Sequence, residues 1–156
     1  MRYVALFLAK PHHFVWLGIF VTTNFEGYEM VHKLSVLVVD DNAINRLILG
    51  NLLKKYGAAV EEACNGKEAL FIAIKKDYDI IFMDIQMPVM DGLEASRTIV
   101  SNWPINNRPP IIAMTANVMN GDKEKCLEAG MVDYLSKPIK FHEVEEALTK
   151  WGRVLS

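Results

Sequence analysis

From Leu34 onward, apolar residues come in two alternating rhythms. Ser35–Val39 is a short apolar run rich in valine that stops at Asp40-Asp41. An unbroken apolar run of this length, bounded by polar residues, reads as a strand buried on both faces. Ile44–Tyr56 then repeats apolar residues at helical spacing through Ile44, Leu47, Ile48 and Leu52, with Lys54-Lys55 in the last turn and Gly57 as C-cap. This spacing predicts a helix with Leu47, Ile48 and Leu52 as its core stripe. Ala58–Ala63 reads as a more polar strand, and Asn65-Gly66-Lys67-Glu68 as a capping box opening a helix to about Lys76.

The same alternation repeats three more times. Asp79–Met83 is a buried-type strand ending at Asp84, followed by the loop Gln86-Met87-Pro88. Asp91-Gly92-Leu93-Glu94 is a second capping box, with Asp91 as the cap, ahead of a helix to about Asn102. The loop Pro104–Pro110 leads to a strand at Ile111–Met114 that ends at Thr115. A helix over Val118–Ala129, capped by Gly130, precedes a fifth strand at Val132–Leu135, then Ser136-Lys137-Pro138 and a last amphipathic helix over Ile139–Trp151. Five strands alternating with five helices predict an α/β domain: a doubly wound, five-stranded parallel sheet with helices on both faces.

Residues 1–33 follow neither rhythm. Two apolar runs, Tyr3–Ala9 and Phe14–Val21, flank Lys10-Pro11-His12-His13. A membrane-spanning helix needs about 20 mostly apolar residues, and here a charge, a proline and two histidines interrupt the middle. No small-residue cleavage site follows, so a signal peptide does not fit. His12 and His13 are adjacent, which on a helix sets them about 100° apart and poor at chelation. The segment is expected to be an extension, packed on the domain or partly disordered. The division is an extension of unknown role over 1–33, a domain over 34–152 and a tail over 153–156.

Composition adds limits. The chain has 156 residues, 51% of them hydrophobic, and a net charge of −2. That supports a sizeable core and excludes wholesale disorder, and it lacks the basic footprint of a nucleic-acid binder. Cys64 and Cys126 form no metal-binding or disulfide pattern; both read as buried, inert thiols of a reducing compartment.

In a doubly wound sheet, ligands bind outside the carboxyl ends of the strands. Those ends carry Asp40-Asp41, Asp84, Thr115 and Lys137. Two carboxylates about 4 Å apart repel by roughly 4 kcal/mol at an effective dielectric near 20. Three together therefore hold a proton or recruit a cation. With only oxygens on offer, the cation is a hard one such as Mg²⁺ (or Mn²⁺), which also draws in a phosphoryl group. Lys137 supplies a fixed positive charge and Thr115 a hydroxyl donor for phosphoryl oxygens. Asp84 ends the central strand and is the expected nucleophile for an aspartyl phosphate, with Asp40 and Asp41 as metal ligands.

These residues together resemble the response-regulator receiver domain. The matching text is Val-Leu-Val-Val-Asp40-Asp41-Asn42, then Met83-Asp84-Ile85-Gln86-Met87-Pro88-Val89-Met90-Asp91-Gly92, then Thr115-Ala116 and Lys137-Pro138, spread over about 34–152. The Asp-Asp-Asn-x-x-Asn start at 40–45 and the long 103–110 loop are similar to receivers of hybrid histidine kinases. The resemblance implies a flavodoxin-like sheet in the order 2-1-3-4-5 and a histidine-to-aspartate phosphorelay. Asp84 would take a phosphoryl group from a histidine kinase or histidine-phosphotransfer protein. Asp41, Asp84 and the backbone carbonyl of Gln86 would ligate Mg²⁺, with Asp40 contributing through water. Thr115 and Lys137 would contact the phosphoryl oxygens, and the Lys137-Pro138 bond would be cis. Thr115 moving toward the phosphate would let Tyr134 turn inward and reshape the surface of 118–129, 132–136 and 139–151. Such a protein is a signalling module with self-phosphotransfer and autodephosphorylation rather than an enzyme with a separate substrate. It would be a monomer or weak dimer in the cytoplasm, or in the nucleus if eukaryotic, with neither nucleic acid nor membrane as partner. Only Gly152–Ser156 follow the last helix, so no DNA-binding or enzymatic effector is expected after it; because the chain starts with Met1, a stand-alone or shuttling receiver is expected rather than the end of a larger kinase.

Two other classes fit less well. A haloacid-dehalogenase-like phosphatase wants an acid two residues after its nucleophile, and Gln86 cannot serve there. A flavodoxin-like cofactor binder wants a Ser-, Thr- and Gly-rich phosphate loop after the first strand, where Asp40-Asp41-Asn42 would repel phosphate. Asn42 and Asn45 read as structural residues of the first helical turn, and His32 and His142 as solvated.

Overall fold

In the computed structural model, the described residues are 19–23, 29–116 and 122–152. The readings made for Tyr3–Ala9, His12-His13, residues 118–121 and the tail lie outside them.

Two strands precede the domain. β1 (Ile19–Thr23) and β2 (Glu29–Lys33) pair antiparallel, Ile19 opposite Lys33 and Thr23 opposite Glu29. Nothing in the sequence reading anticipated this hairpin. The β-branched and aromatic run Ile19-Phe20-Val21-Thr22-Thr23 is what makes the extension strand-forming here.

The domain then runs β3 (Ser35–Val39), α1 (Ala43–Lys55), β4 (Ala59–Ala63), α2 (Gly66–Ala73), β5 (Ile80–Asp84) and α3 (Gly92–Asn102). A 3-10 turn at Ile105–Asn107 follows, then β6 (Ile111–Thr115), α4 (Asp122–Glu128), β7 (Asp133–Ser136) and α5 (Phe141–Trp151). β3 to β7 form one parallel sheet in the order β4-β3-β5-β6-β7, which is the expected 2-1-3-4-5.

The period of two along each strand sorts the core into two layers. Val36, Val38, Ile80, Phe82, Ile112, Met114 and Leu135 face α1 and α5. Leu37, Val39, Ile81, Met83, Ile111 and Ala113 face α2, α3 and α4. Carried past the strand ends, the same alternation sends Asp40, Asp84 and Lys137 toward the α1–α5 side. Three local devices fix the helices that approach this rim. Asn42 caps α1 by accepting from the amides of Ile44 and Asn45, Asn65 caps α2, and Asp91 caps α3 through the Glu94 amide at 2.8 Å. Gly57 and Gly130, which follow α1 and α4, take the positive φ that favours glycine there.

Some boundaries move. α2 stops at Ala73 rather than Lys76, because the Lys75 amide turns back to the Ile72 carbonyl and tightens the last turn out of the α ladder. α5 begins at Phe141 instead of Ile139, after the Lys137-Pro138 bond, which is cis. The larger correction concerns α1. Ile44, Leu47 and Ile48 are 66%, 58% and 51% exposed, whereas Leu49, Leu52 and Leu53 are buried. Of the expected stripe Leu47, Ile48 and Leu52, only Leu52 packs into the core; the helix is apolar on most of its circumference, so spacing alone does not select the covered face. Cys64 is also exposed, not buried; a hydrogen bond to Glu68 holds its thiol above the usual range, and only Cys126 lies in the core.

No helix among the described residues is long and apolar enough to cross a membrane.

Candidate functional site

The carboxyl rim of the sheet gathers Asp40, Asp41 and Asp84, each offering a carboxylate oxygen within 4.8 Å of the others. Asp40 and Asp84 are buried and Asp41 is exposed, so the cluster opens to solvent on one side. Lys137, just beyond β7, sets its Nζ 2.8 Å from Asp40 Oδ2 and 2.8 Å from Asp84 Oδ2. One ammonium thus bridges the two carboxylates that burial would otherwise set against each other.

Burial raises Asp84 above the ordinary carboxylate range; Lys137 opposes that rise and the Asp40 charge adds to it. Burial pulls Lys137 the other way, but its hydrogen bonds to Asp40 and Asp84 outweigh burial and leave it raised. The pair is therefore a charged lysine shared between acids, one of which ionises reluctantly.

Thr115 ends β6, is almost fully buried and lies opposite Ser136 in the sheet; its carbonyl accepts from the Lys137 amide at 2.8 Å. That bond ties the ends of β6 and β7 together beside the acids. Gln86 is exposed and donates its amide to Asp84 Oδ1 at 3.4 Å. It lines an open cleft with Asp41, Ile85, Met87, Pro88, Asp91 and Leu93. Tyr134 stands farther off, half-buried against the α2–α4 core layer, with Lys123 Nζ 5.8 Å from its ring centre. The structure thus brings Asp40, Asp41, Asp84 and Lys137 into one cluster, sets Thr115 and Gln86 on its edge, and leaves Tyr134 outside it.

Three residues support this cluster whose part in it the sequence reading does not give, Asn45 being read only as a structural residue of the first helical turn. Asn45 donates its side-chain amide to both oxygens of Asp40, at 3.3 and 3.2 Å. Arg46 donates to the carbonyl oxygens of Asp40 and Asp41. Gly92 lies against the main chain at Asp84, leaving no room for a Cβ. Asn45 was visible as the second Asn of Asp-Asp-Asn-x-x-Asn; nothing in the spacing marked what Arg46 or Gly92 would touch.

The donor set fits a hard dication. It is all oxygen, it carries three carboxylates on an open rim, and among the described residues no cysteine or histidine joins the cluster. When bound, Mg²⁺ would offset the carboxylate charge and polarise phosphoryl oxygens. Asp41 and Asp84 are the residues placed to hold it, with Asp40 behind them.

A doubly wound sheet with an oxygen-lined, lysine-bridged acidic rim defines a class of α/β domains that meet their ligands outside the carboxyl ends of the strands. Within that class, residues 36–149 match the family described as response regulator receiver domain. The chain belongs to that family, whose members are signalling modules. A hybrid signal transduction histidine kinase, kinase L of Dictyostelium discoideum, is 46% identical over 123 residues, covering 76% of this chain and 7% of the kinase. The chain spans only 4% to 16% of the length of the curated relatives it matches. Among solved structures, the receiver of a Pseudomonas aeruginosa sensor histidine kinase, determined with magnesium in its active-site cleft, is 40% identical with a TM-score of 0.70, covering 77% of this chain and 98% of that one. The Saccharomyces cerevisiae receiver of Ssk1, solved with the histidine phosphotransfer protein Ypd1, is 38% identical with a TM-score of 0.71, covering 77% of this chain and 89% of that one.

Proposed function

We propose that this chain is the phospho-accepting step of a histidine-to-aspartate phosphorelay and that Asp84 is the acceptor. A carboxylate oxygen of Asp84 attacks the phosphorus of a phosphohistidine; the P–N bond breaks, the imidazole leaves and takes up a proton, and an acyl phosphate forms on Asp84. Water later cleaves the acyl phosphate and releases inorganic phosphate. Lys137, already 2.8 Å from Asp84, stays beside the transferring group and meets its oxygens. Asp41, Asp84 and the Gln86 carbonyl would hold Mg²⁺, with Asp40 supporting them from behind, and the ion would offset the carboxylate charge during transfer. The observation that carries this reading is the single lysine shared at 2.8 Å by Asp40 and Asp84, with Asp41 completing the acidic cluster.

The donor docks on the helix that the sheet leaves bare. Ile44, Leu47 and Ile48 of α1 present an exposed apolar face beside the rim. A groove lined by Ile48, Leu52, Pro138, Ile139 and Phe141 continues it toward α5. This face suits the apolar surface of a histidine-phosphotransfer partner and would bring its imidazole to the rim. Once Asp84 is phosphorylated, Thr115 turns toward the phosphoryl oxygens and Tyr134 follows inward, changing the surface made by α4, β7 and α5.

The test is phosphotransfer from a phosphorylated histidine-phosphotransfer protein to the full chain. The wild-type chain gains the label and Asp84→Asn does not; acceptance by Asp84→Asn overturns the assignment.

A further inference from the structure

A layer of contacts behind the acidic rim has a role of its own. Arg46, in the first turns of α1, is mostly buried against the loop that carries Asp40 and Asp41. Its Nη1 donates to the carbonyl oxygen of Asp40 at 2.8 Å and to that of Asp41 at 3.2 Å. Its Nε faces Glu62 Oε2 on β4 at 3.4 Å. Glu62 lies close across α1: a Cβ on Gly50 would stand 3.3 Å from Glu62 Oε1. The arrangement is a strut from the edge strand, over the helix, to two successive main-chain carbonyls.

The loop at 40–42 is therefore held twice. Asn45 and Lys137 fix the Asp40 side chain from within the cluster. Arg46 fixes the backbone from behind, and a guanidinium fork suits this task because it offers several donors in a rigid plane. A carboxylate on a short loop is aimed only as well as its main chain, and contacts one layer out from a metal site commonly set its affinity.

We propose that Arg46 is a positioning residue: by clamping the carbonyls of Asp40 and Asp41, with Glu62 as its anchor, it sets the direction in which those carboxylates enter the Mg²⁺ site. This rests on the reading of the rim as a Mg²⁺ site. The sign of one effect separates positioning from plain charge. Arg46 is a cation near the cluster, so by charge alone its removal would favour a dication. Positioning requires the reverse.

The experiment follows the backbone amides of the full chain by nuclear magnetic resonance during titration with MgCl₂. Arg46→Met keeps the stem and drops the fork, Arg46→Lys keeps the charge without the fork, and Glu62→Met, which has no oxygen to accept from Nε, removes the anchor while leaving Arg46 in place. Arg46→Met is expected to weaken Mg²⁺ about tenfold and to shift the metal-free signals of Asp41 and Asn42. Arg46→Lys remains weaker than wild type by about threefold or more, since an ammonium does not reproduce the fork. Glu62→Met weakens binding by about threefold and serves as the arbiter if either Arg46 variant fails to fold. Binding by Arg46→Met as tight as or tighter than wild type, or unchanged affinity in Glu62→Met, overturns the proposal. Absence of any saturable Mg²⁺ response in the wild-type chain at Asp41 and Asp84 overturns the metal site itself.

Discussion

Gly92 lies directly against Asp84: a Cβ built on it would stand 2.0 Å from the Asp84 carbonyl oxygen. The Gly92 amide donates to the Ile85 carbonyl at 2.9 Å, and Asp91 caps the helix that begins there. The start of α3 is thereby folded onto the strand end that carries the acceptor. Gly92→Ala cannot keep both that hydrogen bond and a normal contact distance. It is expected to destabilise the chain by about 2–3 kcal/mol, as overpacking against rigid backbone does. The shift in the urea unfolding midpoint measures the loss.

Lys137 gives a second expectation. In Lys137→Met the two buried acids face each other without a shared cation, and repulsion between charges about 5 Å apart is roughly 3 kcal/mol at an effective dielectric near 20. The Asp84 carboxyl should titrate at still higher pH, and Mg²⁺ should bind more tightly because no ammonium competes for the same oxygens. Phosphorylation by a small acyl phosphate should nevertheless slow by roughly 10²-fold, since the charge that meets the phosphoryl oxygens is gone. Carboxyl carbon resonances against pH, together with initial rates, test the three effects.

The raised pKa of Asp84 makes stability depend on pH and on metal. Its folded-state value lies above the unfolded value of 3.8, with burial as the main cause. The favourable contribution is present below that unfolded value and is lost as pH rises through the folded one. At neutral pH without metal, ionised Asp84 is therefore a cost, and Asp84→Asn should be more stable than wild type. The difference should shrink as the pH falls toward 4. Saturating Mg²⁺ should reverse the order, because a ligand at 100 times its dissociation constant adds about 2.7 kcal/mol to the form that binds it. Thermal unfolding at two pH values, with and without Mg²⁺, measures both the shrinking difference and the reversal.

The exposed face of α1 can be changed without touching the core. Leu47→Ala should alter stability by no more than about 0.5 kcal/mol, the usual range for a surface position. Phosphotransfer from a histidine-phosphotransfer protein should fall about tenfold in kcat/KM, the size of a contact near the centre of an interface. The rate with a small acyl phosphate, which needs no docking helix, is the reference against which the fall is read.

Much of the fold is written in short runs. Val36–Val39, Ile80–Met83 and Ile111–Met114 are apolar throughout because both faces of a parallel sheet are covered, and this makes them legible. Once the strands are placed, Asp40, Asp41, Asp84, Thr115 and Lys137 follow, since a ligand rim is defined by strand ends. What could not be read depends on contacts between distant residues. Of the α1 stripe expected from spacing only Leu52 is buried, because six residues of the helix are leucine or isoleucine and only the sheet decides that Leu49 and Leu53 go in while Leu47 stays out. Arg46 and Gly92 gain their meaning from a carbonyl each meets in space. The β1–β2 hairpin belongs to a segment whose interrupted apolar runs matched no template.

The central claim is tested most directly by locating the adduct. The full chain is treated with a small acyl phosphate and Mg²⁺, digested, and its modified peptide mapped by mass spectrometry. The account predicts one phosphoryl group, on Asp84, and none when a chelator removes the divalent cation. An adduct on another carboxylate, or one that forms equally well without the cation, would contradict it.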